Sequence, residues 1–225
     1  MLPHIILHNA VSVDGRLDWF PADVPKFHEL AAYWKEDATL AGSDTLIKAY
    51  PEEKIMPEDK EAFEHVNANP GDTRPLLIVP DSRGRLRHIL HMLRHEPYWR
   101  NIIILTSAAT PKSYLSYLEK RHIDSFSAGD DHVDYKLALN EINSRYGVKT
   151  LRVDSGGTLN GILIRAGLAN EISIIVHPYV VGGTSPRSSF LAPDLIASSG
   201  VNKLRLIHLE KFPTDLIWLR YEILK

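Results

Sequence analysis

An α/β fold, with a mostly parallel central sheet flanked by helices and an antiparallel hairpin at its C-terminal end, is what this sequence predicts. Three observations carry that prediction. Short apolar runs bounded by turn residues alternate with segments whose apolar residues recur three or four positions apart, the pattern of strand–helix–strand units. One unit, from Thr150 to Val176, runs from an apolar strand through paired glycines straight into a helix and then into a second apolar strand. The last two apolar runs are joined by Lys211-Phe212-Pro213-Thr214-Asp215 with no helical segment between them, so they pair antiparallel.

In chain order, strands are expected at His4–Asn9, Ala38–Gly42, Leu76–Val79, Ile102–Thr106, Ile123–Phe126, Lys149–Asp154, Ile172–His177, Leu204–Leu209 and Leu216–Ile223. Helical periodicity is expected over Val24–Lys35, Arg87–His95, Pro111–His122, Val133–Tyr146 and Thr158–Ala166. Pro111 suits a first turn, and Gly147 and Gly167 suit helix exits. The polar stretch from Tyr50 to Arg74, with Pro51, Pro57, Pro70 and Gly71, reads as a surface excursion with one turn of helix near Glu58–His65.

The 225 residues are enough to bury a substantial core and are read as a single domain, 1–225. With 44% hydrophobic and 24% charged residues the composition is that of a globular chain and argues against disorder. A net charge of −2 supplies no general attraction to nucleic acid or to anionic membranes, so any phosphate has to be recognised locally. The absence of cysteine excludes disulfides, thiolate zinc sites and a cysteine nucleophile. Met1–His8 has no basic lead and is interrupted by His4 and His8, which reads as a first strand rather than a leader, and no run approaches membrane-spanning length. A cytoplasmic location is expected.

The candidate chemistry lies where strands exit. Asp154-Ser155-Gly156-Gly157-Thr158-Leu159-Asn160-Gly161-Ile162 heads a helix, whose first N–H groups have no internal partners and carry the positive end of its dipole. Asn9-Ala10-Val11-Ser12-Val13-Asp14-Gly15 leaves the first strand into small residues that let a flat ring lie against the backbone. Gly42-Ser43-Asp44-Thr45 offers caps and a hydroxyl, and Asp81-Ser82-Arg83-Gly84-Arg85-Leu86-Arg87 offers three arginines that can meet a phosphate bidentately. Such exits at strand carboxyl ends are where α/β sheets bind ligands, so a nucleotide or dinucleotide and a small-molecule substrate are expected, with no nucleic acid or membrane partner. His88, His91 and His95 share one helical face but lack patterned carboxylates, so no metal site is expected. Tyr33-Trp34 and Tyr98-Trp99 read as core or dimer-contact aromatics.

In order along nearly the whole chain, Asn9–Leu17, Gly42–Thr45, Asp81-Ser82, Asp154–Gly161, Gly167–Glu171 and Pro178–Gly183 resemble the reductase domain of the riboflavin-biosynthesis pyrimidine deaminase/reductase and the free-standing archaeal-type pyrimidine reductases. The resemblance implies a dihydrofolate-reductase-like fold, NADPH as cofactor, a homodimer, and reduction of the ribosyl group of an aminopyrimidine 5′-phosphate to ribityl. By position, Ala10 would contact NADPH through its backbone, Thr45 and Ser82 through their hydroxyls, and Gly156, Gly157, Thr158, Leu159, Asn160, Gly161 and Ile162 would wrap the pyrophosphate. Substrate would lie near Ser12 and Asp154, with Arg85 a candidate for its phosphate and Asp154 a candidate proton donor.

Asp154 stands where the family has a longer glutamate, and Leu46-Ile47-Lys48-Ala49-Tyr50-Pro51 replaces a family segment that carries a substrate arginine. A second family arginine, expected upstream on the helix before the second strand, falls near Tyr33 to Lys35, and Lys35, Lys48, Arg85 or Arg87 would have to substitute for the two. Two rival readings follow: a related NADPH-dependent reductase of another pterin-like or carbonyl substrate, and a non-catalytic nucleotide-binding module.

Overall fold

The computed structural model describes residues 1–65, 69, 71–184 and 188–224. By its internal contacts the chain divides into two compact units, Met1–Pro3 with Glu36–Lys149 and His4–Lys35 with Thr150–Lys225.

The first unit is built on four parallel strands, β2 (Ala38–Ala41), β3 (Leu76–Pro80), β4 (Asn101–Thr106) and β5 (Asp124–Ser127), side by side in that order. Residues 102–105 are buried without interruption, as a parallel strand covered on both faces requires. Helices α2 (Ser43–Ala49), α3 (Leu90–His95), α4 (Lys112–Lys120) and α5 (Tyr135–Tyr146) belong to this unit. Asp134 caps α5 by accepting from the Lys136 and Leu137 amides, and Gly147 ends it in the left-handed region at φ 68°. Leu77, Val79, Leu86, Leu90, Leu93, Ile102, Ile104, Tyr114 and Leu118 form its apolar core.

The Tyr50–Arg74 stretch is tied down more firmly than a surface excursion. Residues 66–68 and Pro70 lie outside the described residues, but before them the chain forms short 3₁₀ turns at Glu52–Lys54 and Glu61–Phe63. Glu58 pairs with Arg121 and accepts from the Tyr117 hydroxyl, and Arg94 donates to the Ala62 carbonyl at 3.0 Å. These side chains reach the segment from α3, α4 and the residue after α4, more than 25 positions away, which is why local composition did not announce the anchoring.

The second unit orders its strands β6 (Thr150–Asp154), β1 (His4–Ser12), β7 (Glu171–His177), β9 (Ile217–Leu224) and β8 (Lys203–Lys211). β6, β1 and β7 run parallel, whereas β9 lies antiparallel to β7 and β8 antiparallel to β9. The expected hairpin is therefore present, with its second strand against β7 and its first at the edge. Helix α1 (Val24–Ala31) is shorter than the expected Val24–Lys35, because the chain tightens into a 3₁₀ turn at Ala32–Trp34 and Lys35 turns left-handed at φ 46°. Helix α6 (Gly157–Arg165) follows β6.

A polar seam crosses this apolar unit. His8, fully buried in β1, donates from Nε2 to the Phe27 carbonyl at 3.2 Å, so its Nδ1 accepts from Ser173 Oγ at 2.9 Å. Trp218 Nε1 donates to the same Oγ at 2.8 Å. Burial, followed by the positive charge of Arg152, pushes the His8 pKa from 6.5 down to about 3. Nearby, Arg220 pairs with Glu171 at 2.6 Å while its guanidinium lies 4.2 Å from the Tyr33 ring centre and 5.3 Å from that of Trp34, which places Tyr33-Trp34 in this unit's aromatic packing.

Candidate functional site

The glycine turn is built from three glycines with different demands. Gly156 is the N-cap of α6, extended at φ −75° and ψ 175°, and no side chain caps the helix there. A Cβ added to Gly156 would meet nothing within 4 Å. At Gly157 a Cβ would fall 2.1 Å from the Ser188 carbonyl oxygen, and at Gly161 1.9 Å from that of Leu191. The segment 188–191 lies directly on this side of the helix, and the Leu191 amide donates to the Gly157 carbonyl at 2.8 Å. Two of the three glycines thus serve close packing of backbone on backbone, and one leaves open space ahead of the helix.

Asn160 locks the turn from beneath. Fully buried, its Nδ2 donates to Asn9 Oδ1 at 2.8 Å and to the Ser189 carbonyl at 3.0 Å, while Asn9 Nδ2 donates to the Ser155 carbonyl at 2.9 Å. Of the run expected around a pyrophosphate, Gly156 is half-buried, Thr158 and Ile162 are exposed, and Gly157, Leu159, Asn160 and Gly161 are buried. The run therefore offers an anion its uncapped helix head, where the first-turn amides begin, and points the side chains of Leu159 and Asn160 inward.

Beside the turn, Ser12 is buried at the end of β1 and committed to its own loop. Its Oγ donates to Asp14 Oδ1 at 2.7 Å and accepts from the Arg16 amide at 3.0 Å. Asp14 is more than a turn residue: it also accepts from the Val181 and Gly182 amides at 3.0 and 2.8 Å. The Val181 amide, then the Ser12 hydroxyl and the Gly182 amide, hold its carboxyl well below the usual carboxylate range. Arg16 Nη2 donates to the Gly183 carbonyl at 2.6 Å and Ser189 Oγ to the Gly15 carbonyl at 3.0 Å. The loop after β1 thereby fastens the chain that follows β7. Ala10 is half-buried, opposite Ile175 of β7. Asp154, half-buried at the end of β6, accepts from Arg152 Nη1 at 3.3 Å.

Thr45, Ser82 and Arg85 belong to the first unit. Thr45 and Ser82 are half-buried. None of Ser43, Asp44 and Thr45 caps α2; its N-cap is Gly42, without a side-chain bond. Asp44 instead pairs with Arg85 at 2.6 Å, both side chains being well exposed. The loop after β3 is shaped by buried Asp81, which accepts from the Arg85 and Leu86 amides and from the Tyr114 hydroxyl at 2.8 Å. Arg87 lies against the Tyr114 and Tyr117 rings and donates to Ser113 Oγ, so one of the three loop arginines is occupied by packing. Of the three histidines, His88 precedes α3 and is exposed, and His91 is buried with Nε2 donating to the Met56 carbonyl at 2.7 Å. His95 stands on the surface near Asp59 and Glu61, potential ligand atoms of the three lying within 4.8 Å of one another.

Sequence reasoning passed over Asn9, Asn160 and Asp81 as determinants of their own loops. A signal existed for each, a polar residue inside or directly after an otherwise apolar strand, or inward on a helix.

The description "RibD C-terminal domain" fits residues 3–218 of this chain. The chain is 26% identical over 212 residues to the 2,5-diamino-6-ribosylamino-4(3H)-pyrimidinone 5′-phosphate reductase of Methanothermobacter thermautotrophicus, covering 91% of this chain and 88% of that protein. To the enzyme of the same name from Aquifex aeolicus it is 26% identical over 221 residues, covering 92% and 88%. Its fold superposes on RibD of Acinetobacter baumannii with a TM-score of 0.70 at 18% identity, over 99% of this chain and 58% of that longer one. The fold is dihydrofolate-reductase-like, as the resemblance implied.

Proposed function

The chain belongs to the RibD C-terminal domain family, and from that membership we propose that it is an NADPH-dependent reductase converting the ribosyl group of a ribosylamino-pyrimidine 5′-phosphate to ribityl. The match across residues 3–218 carries this reading. Residues 1–225 act in it as one reductase domain. The fit of the coenzyme rests on the uncapped head of α6 and the open approach at Gly156, where main-chain amides can receive a diphosphate without a basic side chain. Gly156, Gly157 and Thr158 would hold it there through their backbone, with Asn160 and Asn9 fixing the turn; Ala10, Thr45 and Ser82 are further contacts implied by the resemblance. The chemistry a coenzyme bound there would supply is a hydride, delivered to the first sugar carbon of the opened ribosylamine. The protein's own residues align the substrate and exclude water, with Asp154 at the substrate side of the turn.

Arg85, proposed for the substrate phosphate, is already paired with Asp44, an arrangement that favours the second reading, reduction of a related carbonyl or pterin-like compound. The proposed homodimer would cover edge strand β8, where Leu204, Leu206, Ile207 and Leu209 are all exposed. Among the described residues no helix is long and apolar enough to cross a membrane. Fluorescence titration with NADPH, followed by NADPH consumption with the diaminopyrimidine ribosyl phosphate, tests the reading. Binding with turnover supports it, turnover only on another carbonyl compound supports the second reading, and binding without oxidation of NADPH on any acceptor refutes both.

A further inference from the structure

Arg152 and Asp154 are two residues apart on β6 and so project from the same face of the strand. Arg152 is 6% exposed, opposite Ile6 of β1, and its charge reaches far enough to depress fully buried His8. A guanidinium cannot shed its proton to escape burial, so it must be compensated by acceptors around it. One is Asp154 Oδ2, which Arg152 Nη1 meets at 3.3 Å. Among the described residues Arg152 is the sole hydrogen-bond or ion-pair partner of Asp154, whose side chain remains 34% exposed beside the head of α6. One carboxylate oxygen is thus held by Arg152, while the side chain as a whole stays a third open to its surroundings.

We propose that Arg152 is a positioning residue, which fixes Asp154 as a hydrogen-bond acceptor for an N–H or O–H donor of the sugar–pyrimidine substrate. Asp154 then acts by anchoring substrate, and its removal is felt in binding rather than in the chemical step. This inference rests on the reductase reading above and specifies which group of that site recognises substrate.

Steady-state kinetics of the wild type, Arg152→Lys, Arg152→Met, Asp154→Asn and the double variant Arg152→Met/Asp154→Asn, with NADPH affinity measured separately by fluorescence, test it. Arg152→Met and Asp154→Asn should each raise the substrate KM about tenfold or more while kcat stays within about threefold and the NADPH Kd is unchanged. Lysine at 152 should restore part of the loss, and the double variant should be no worse than Asp154→Asn alone. A folded Arg152→Met with wild-type KM overturns the proposal, as do multiplicative losses in the double variant or a collapse of kcat in Asp154→Asn. Should Arg152→Met fail to fold, Arg152→Lys decides, since it keeps the charge but shortens the reach: an unchanged KM overturns the proposal and a raised KM at constant kcat supports it. A wild type that binds NADPH but leaves the pyrimidine unreduced overturns the reductase reading and this inference with it, whereas wild-type turnover with an insensitive Arg152 overturns the positioning role alone.

Discussion

Acidifying the protein from pH 7 to pH 5 is expected to cost the second unit about 2 kcal/mol through one residue, His8. The imidazole is fully buried, with both nitrogens engaged: Nε2–H donates to the Phe27 carbonyl and Nδ1 accepts from Ser173. Burial disfavours a second proton on the ring, and the neighbouring positive charge of Arg152 disfavours it further. The folded pKa of His8 is accordingly depressed to about 3, against 6.5 for the free group. The sign follows from proton counts. Above about 6.5 neither state binds a proton at His8 and the contribution is complete, and below it the unfolded chain takes up a proton that the native state refuses, so stability falls as pH falls toward about 3. With about 1.4 kcal/mol per pH unit below 6.5, the loss is about 2 kcal/mol at pH 5. Urea unfolding at pH 7, 6 and 5, for the wild type and His8→Gln, measures it. Glutamine keeps one donor and one acceptor but does not titrate, and the other ten histidines are common to both proteins. The wild type should lose about 2 kcal/mol more than the variant over this range, and parallel pH dependences would refute the assignment of a buried neutral His8.

Three further outcomes are expected. Gly161→Ala, whose Cβ would sit 1.9 Å from the Leu191 oxygen, should destabilise the protein by about 1–3 kcal/mol or more in chemical denaturation, whereas Gly156→Ala, with nothing within 4 Å, should cost about 1 kcal/mol or less and raise the NADPH Kd about tenfold. Tyr114→Phe should cost about 1–3 kcal/mol, because buried Asp81 loses one of its three donors, and a neutral result would show that the two amides suffice. Arg85→Ala removes an exposed ion pair and should leave the melting curve within about 1 kcal/mol of wild type, so a weakened substrate or NADPH affinity in that variant reports phosphate contact rather than unfolding.

The elements were legible because their periodicity is local. Each of the nine expected strands occurs within three residues of its expected ends, Gly147 and Gly167 sit at the helix exits where their chemistry placed them, and Pro111 is the N-cap of α4, one residue ahead of the first turn expected for it. What escaped was long-range. Nothing around Asn9 shows that its amide meets Asn160, 151 positions away, and nothing around Asp14 shows that its carboxylate gathers the Val181 and Gly182 amides. Asp14-Gly15 reads locally as a turn pair, and its left-handed glycine at φ 76° satisfies that reading completely. Its second duty becomes visible only when the loop after β1 meets the chain after β7. For the same reason Arg85 reads as a free cation until Asp44, from a different strand exit, is found beside it.

The glycine run shows how one motif can satisfy a sequence pattern for more than one physical reason. A phosphate-binding turn and a tight backbone crossing both call for glycine, and a chain that needs both writes them as a single cluster. Here the crossing accounts for Gly157 and Gly161, whose Cβ positions are filled by the Ser188 and Leu191 carbonyls. It does not account for Gly156, where an alanine would fit and where the backbone, at φ −75°, imposes no need for glycine. A residue that neither packing nor conformation requires, placed at the uncapped head of a nine-residue helix, is the one whose missing side chain keeps the approach to the amides clear. Substitution there separates the two demands, since loss of coenzyme affinity without loss of stability has no explanation in the crossing.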